Sequence, residues 1–220
     1  MRLKDRKDAG LQLAERLSWL KNEKEDNNSV IVLAIPRGGV IVADEIAKSL
    51  NAMLDVVVPR KLGAPYNPEL AIGAVMHDSS SYINEYVTNT LRIEQDYITS
   101  EIDAQVKEIE RRLALYRGSS KYDLEGKTIV MVDDGIATGA TMMVATLWVK
   151  KQKPKIVILA VPVAPKEVTK KLSEMVDRSA VLHTPLEFGA VGEFYEDFGQ
   201  ISDQEVIDTL RKYKTEVKSK

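Results

Sequence analysis

Continuous apolar runs alternate along the chain with segments whose apolar residues recur every three or four positions. Residues 30–35 form an uninterrupted apolar run, and 54–58, 128–132, 155–163 and 180–183 are further strand segments rich in apolar residues. The 30–35 run and the 128–132 segment predict strands buried within a parallel sheet. Helical spacing marks residues 4 to about 24, with Leu13, Leu17 and Leu20 on one face, and Asn27-Asn28-Ser29 breaks that pattern. Further helices are predicted from after Gly39 to about Leu50, and at 93–117, 140–150, 165–176 and 203–213. The 93–117 segment carries Ile98, Ile102, Val106, Ile109, Leu113 and Tyr116 at amphipathic spacing. Residues 59–69 contain prolines and a glycine among polar side chains and predict a loop, while 71–77 and 80–83 suit a hairpin.

Strands alternating with helices predict an α/β fold: a central parallel sheet, flanked by helices and joined by right-handed crossovers. No repeat or low-complexity linker interrupts the 220 residues, so a single domain is expected. Its core is assigned to about 28–183 and a small hood to about 1–27 and 184–220. A helical insertion, structural or a subunit contact, occupies about 85–118.

Composition narrows the function classes. Hydrophobic residues make up 44% and charged residues 29%, as in ordinary globular domains. A net charge of -2 disfavours a general nucleic-acid partner. The absence of cysteine removes disulfides, thiolate metal sites and thiol nucleophiles. Met1 to Arg6 is charged, without the apolar stretch of a signal peptide, and no apolar run is long enough for a membrane span. A cytoplasmic protein is expected.

The chemistry is concentrated between the 128–132 strand and the helix after it. Val132-Asp133-Asp134-Gly135-Ile136-Ala137-Thr138-Gly139-Ala140-Thr141 is a loop that delivers backbone N–H groups to a helix N-terminus, where a phosphate monoester is stabilised. Gly135 and Gly139 supply unusual dihedrals, Thr138 and Thr141 add hydroxyls, and Asp133 and Asp134 can accept from vicinal hydroxyls of the same ligand. The glycine spacing fits neither a P-loop, which also needs a following lysine, nor a dinucleotide fingerprint. By itself Asp-Asp-Gly is a common turn; the complete string between buried strand and helix is not.

This string resembles the phosphoribosyl pyrophosphate signature of the type I phosphoribosyltransferases. The resemblance spans roughly residues 30–163 and is nearest to stand-alone members of undefined acceptor. It implies that Asp133 and Asp134 hold the ribose hydroxyls and contact Mg2+ directly or through water. Gly135, Ile136, Ala137, Thr138, Gly139, Ala140 and Thr141 would hold the 5-phosphate. Pro36, Arg37, Gly38 and Gly39 would form the pyrophosphate loop, although Arg-Gly-Gly alone is usually just a turn. Arg60 and Lys61 fall where the family has a mobile loop closing over the pyrophosphate; a solvated basic pair is the alternative.

The implied reaction displaces pyrophosphate from ribose C1 by a nitrogen nucleophile, a nucleobase by preference. Phe188, Val191, Phe194 and Tyr195 are the acceptor-pocket candidates, with core or interface packing as their alternative. Ala137 stands where hypoxanthine-guanine members carry an aspartate, so no general base is assigned there, although adenine-type members also have a small residue. Those hypoxanthine-guanine members also read the base with a lysine that has no counterpart between Thr184 and Gln200. A homodimer is expected from the family. The alternative function is a regulator that senses the donor without catalysis; a synthase relative is disfavoured because no ATP site is visible. His77, His183, Trp19 and Trp148 are read as packing residues rather than ligands.

Overall fold

The computed structural model describes residues 2–23 and 29–214. Met1, Asn27, Asn28 and the expected end of the first helix near residue 24 lie outside them. Two strands, β1 (Val30–Ala34) and β6 (Thr128–Val132), lie side by side at the centre of a five-stranded parallel sheet. Strands β2 (Met53–Val56), β7 (Ile156–Val163) and β8 (Arg178–His183) complete it in the order β2-β1-β6-β7-β8.

Every residue of β1 and β6 is buried, which accounts for their uninterrupted apolar sequences. Val30, Val32 and Ala34 enter one core, while Ile31 and Leu33 enter the core on the opposite face. Each such aliphatic side chain contributes about 1.5–3 kcal/mol by leaving water. The first face is covered by α1 (Arg6–Arg16), α3 (Gly38–Leu50) and α8 (Asp203–Lys214). The second is covered by α6 (Ala140–Lys151), through Met142, Met143 and Trp148. α7 (Lys166–Ser173) packs beside β8.

The first helix stops at Arg16; a separate turn of helix, α2 (Leu20–Glu23), follows. The larger difference from expectation lies at residues 59–69. These are not a loop: β3 (Arg60–Ala64) and β4 (Asn67–Val75) form an antiparallel hairpin, joined by β5 (Ser81–Ile83) into a second, three-stranded sheet. Pro65 sits in the turn, and Pro68 lies beside the register shifts flanking Gly63. Both positions tolerate a missing N–H donor. The outer half of β4 is exposed, so the hairpin tip projects with Tyr66 wholly in solvent.

The residues between the sheets form α4 (Glu85–Thr90) and the long α5 (Gln95–Tyr116). On α5, Ile98, Ile109, Leu113 and Tyr116 are buried, with Ile102 and Val106 packed partly against the same core. α5 lies against β3 and α8.

Candidate active site

The sheet order creates the crevice. The chain leaves β1 for α3 and β2 in one direction, and leaves β6 for α6 and β7 in the other. The loops at the carboxyl ends of β1 and β6 therefore diverge and leave an opening between them, the usual ligand position in open α/β sheets. Ala34 pairs with Val132, and the Ile35 amide donates to the Val132 carbonyl at 2.8 Å. This pairing delivers both loops at the same height.

The loops touch. A side chain on Gly38 would overlap the Asp134 carboxylate and the Arg6 guanidinium, and one on Gly39 would lie 2.9 Å from the Asp133 Cα. Close approach of these backbones, rather than a turn alone, requires glycine here. The Pro36–Arg37 peptide bond is cis. The Arg37 guanidinium lies 3.6 Å from Asp203 at the start of α8.

Asp133 Oδ1 accepts the Asp134 amide at 2.8 Å. Burial, then the neighbouring Asp134 charge, raises the Asp133 carboxyl well above the usual range. Asp134 has its own partners: its carboxylate accepts from Arg6 Nε at 2.7 Å, and its carbonyl from the Tyr195 hydroxyl at 2.6 Å. Two acids this close are best stabilised when positive charge or a hydroxylic ligand lies between or beside them.

Beyond the acids, Ala137 and Thr138 are exposed, and Gly139 adopts φ 80° as the N-cap of α6 without a side-chain cap. That left-handed turn leaves the first N–H groups of the helix to be satisfied from the crevice. Ala140 is buried within the first turn, and Thr141 is half-buried. The Ile136 amide donates to the Val163 carbonyl at 2.9 Å and its side chain is only 4% exposed, so Ile136 anchors this loop to the core.

The acceptor candidates divide. Phe188 stacks on Phe194 with ring centroids 5.3 Å apart, and His183 at the end of β8 lies 5.7 Å from Phe194. Val191 reaches the backbone of Gly135. All four side chains remain partly accessible. Tyr195 is placed differently: it is 2% exposed, stacks on Phe198 at 4.9 Å and donates its hydroxyl to the Asp134 carbonyl. Sequence periodicity could not distinguish an aromatic facing the crevice from one beneath it.

Arg60 and Lys61 are held by partners other than the acids. Arg60 lies on β3, half-buried, and donates from Nε to Gln105 of α5 at 2.8 Å. Burial, then the Arg112 charge, lowers its pKa. The Lys61 ammonium donates to the Glu69 carbonyl at 3.1 Å and lies 3.2 Å from its carboxylate. Arg6, the residue the sequence did not single out, joins the site from α1, and nothing in its local sequence distinguishes it from the other surface cations of an amphipathic helix.

Other conspicuous groups lie elsewhere. His77 packs with Tyr122 and Trp148, and burial lowers its pKa. Trp19 stacks under Arg178. A cavity of about 510 Å3 opens at the amino end of the sheet, where Met53, Asp55, Arg117 and Tyr213 line it without any residue of the two loops. Among the described residues no helix is long and apolar enough to cross a membrane.

An open parallel sheet whose two central loops meet at the carboxyl edge, one of them bearing paired carboxylates before a helix N-terminus, places the chain among α/β domains with a switch-point crevice. The chain belongs to the phosphoribosyl transferase domain family, whose sequence model matches residues 5–191. Two Mycobacterium tuberculosis proteins, from two strains and both only provisionally named phosphoribosyl transferases, are 42% identical over 207 residues. The match covers 94% of this chain but 46% of each relative, so the chain spans about half their length. The crystal structure of TT1426 from Thermus thermophilus matches with a TM-score of 0.78 at 39% identity, over 97% of this chain and 99% of that one.

Proposed function

We propose that this protein is a cytoplasmic, magnesium-dependent phosphoribosyltransferase in which a nitrogen nucleophile, a nucleobase by preference, displaces pyrophosphate from phosphoribosyl pyrophosphate. The observation that carries this reading is the contact between the two loops, with Gly38 and Gly39 seated directly on Asp134 and Asp133. One crevice thereby offers a narrow backbone loop for a diphosphate, two carboxylates for vicinal hydroxyls and a helix N-terminus for a 5-phosphate. A donor with all three groups matches that sequence of features.

In the reaction the bond from C1 to the diphosphate oxygen breaks as the nucleophile's lone pair forms the new C–N bond. Positive charge grows on the ribose and negative charge on the departing pyrophosphate. Asp133 and Asp134 orient the ribose hydroxyls, and the Pro36–Gly39 backbone receives the leaving group. Ala137, Thr138, Gly139, Ala140 and Thr141 anchor the 5-phosphate, so that only C1 moves appreciably. Two adjacent carboxylates suit Mg2+, which takes one or two protein oxygens and completes its shell from substrate phosphates and water. Bound there, the ion would neutralise charge on the leaving diphosphate. The proton released by the nucleophile has no acceptor at Ala137 and passes to water or to the diphosphate.

Phe188 and Phe194 offer a stacking surface for a planar acceptor, with Val191 beside it. A homodimer is the assembly we assign, on the family resemblance. A second reading, a regulator that senses the donor, draws on the tethering of Arg60 to Gln105 and of Lys61 to Glu69. Isothermal titration of phosphoribosyl pyrophosphate with Mg2+, followed by a pyrophosphate-release screen over nucleobases, separates them. Binding with release is expected. Binding without release for any acceptor would favour the sensor, and absence of binding would overturn both.

A further inference from the structure

Arg6 enters the crevice from a helix at the other end of the chain, 128 residues before its partner. Its side chain makes three contacts. Nε donates to Asp134 Oδ2 at 2.7 Å, Nη1 donates to the Gly199 carbonyl at 2.8 Å, and the guanidinium lies 3.8 Å over the Phe198 ring. The residue is 8% exposed. A cation so enclosed cannot also reach the phosphates of a ligand, so its action on the site passes through Asp134.

The segment that presents these contacts is itself tied down. The Leu3 amide donates to the Phe194 carbonyl at 2.8 Å, and Glu196 and Asp197 return amides to the Leu3 and Lys4 carbonyls at 2.8 and 2.9 Å. Asp5 caps α1 by accepting the Asp8 amide at 2.8 Å. Residues 3–6 and 194–199 therefore form one collar behind the acid pair. From that collar Arg6 grips the Asp134 carboxylate and Tyr195 grips its carbonyl.

We propose that Arg6 is a positioning residue for ribose recognition: it fixes the Asp134 carboxylate in one rotamer, with one oxygen committed to the guanidinium and the other presented to a vicinal hydroxyl of the ligand. This rests on reading the crevice as a phosphoribosyl site. Charge-assisted hydrogen bonds of this kind are strong and directional, and a carboxylate held by one needs no reordering when a hydroxyl arrives. Gly38 is part of the same device, because any side chain there would occupy the space of the ion pair.

The test compares two ligands. Ribose 5-phosphate carries the hydroxyls and the phosphate, and inorganic phosphate carries only the second. Arg6→Ala is expected to weaken ribose 5-phosphate by about tenfold or more while leaving phosphate affinity unchanged. Arg6→Lys, which keeps the charge on Asp134, restores part of the loss. In turnover, the Arg6→Ala defect falls on KM for the donor more than on kcat. Phe198→Leu, which keeps Arg6 but removes the ring beneath it, shifts the same ligand in the same direction by less, and it carries the test if Arg6→Ala does not fold. Equal losses for both ligands, or wild-type affinity in Arg6→Ala, would overturn the assignment. A wild-type protein that binds neither ribose 5-phosphate nor the pyrophosphate donor would instead overturn the phosphoribosyl reading itself.

Discussion

The crevice between β1 and β6 and the hairpin of β3 and β4 carry the anionic and cationic halves of the expected chemistry, and they are built in opposite ways. At the crevice, Asp133, Asp134, Gly38 and Gly39 are held by parallel pairing and by contacts that leave each little freedom. At the hairpin, Arg60 and Lys61 are half-buried at the start of β3, and each is occupied by a neighbour, Gln105 or Glu69. Recognition of the unreactive parts of a ligand needs preorganised groups. Stabilisation of a leaving group needs charges that arrive with it, and a detachable tether permits that.

That contrast can be broken most severely at the acids. Asp133→Asn together with Asp134→Asn is expected to abolish binding of phosphoribosyl pyrophosphate in calorimetry, a loss of more than about a hundredfold, because both hydroxyl acceptors and the local charge disappear. Unchanged affinity would remove the central claim. Next in size, Gly38→Ala forces the Arg6–Asp134 pair apart and should cost about 3 kcal/mol of folding stability in denaturant titration, along with ligand affinity.

The hairpin half is tested by turnover. Arg60→Ala is expected to lower kcat by about a hundredfold, with donor affinity little changed, if its charge meets the leaving diphosphate. Gln105→Leu, which removes the tether and keeps the cation, should leave kcat intact. A defect in Gln105→Leu equal to that of Arg60→Ala would assign both residues to structure. The smallest effect concerns α5. Arg111, then Arg112, hold the Glu108 carboxyl down at about 2, below its usual 4.5. A group with a depressed folded pKa contributes stability that is present above the unfolded value and lost as pH falls through the folded one. The stability difference between the wild type and Glu108→Gln should therefore shrink as pH drops from about 4.5 towards 2. Because Arg111 is largely exposed, the difference at neutral pH should stay below about 1 kcal/mol.

Legibility in the sequence follows burial. Strands β1, β6 and β7 could be read almost residue for residue, because burial on both faces demands an apolar side chain at every position. Helix α5 was equally clear from its repeating stripe. β3 and the outer half of β4 were not, since Pro65, Gly63 and Pro68 give the same local signal in a surface loop as in a bulged hairpin. The acceptor candidates show the same limit: Phe188 and Tyr195 look alike in sequence, yet Tyr195 is buried against Asp134 while Phe188 stays half-exposed on Phe194.

The sequence by itself determined the parallel sheet, the placement of Asp133 to Thr141 at a strand-to-helix turn, and the glycines of the partner loop. Each of these is written in short-range patterns: hydrophobic period, turn chemistry and helix start. Only the tertiary structure decided that Gly38 lies on Asp134, that Ile136 turns inward, and that Arg6 reaches the acids across 128 residues. Those outcomes depend on which surfaces the collapsed chain brings together. A lone arginine on the polar side of a helix carries no mark of the carboxylate that will neutralise it.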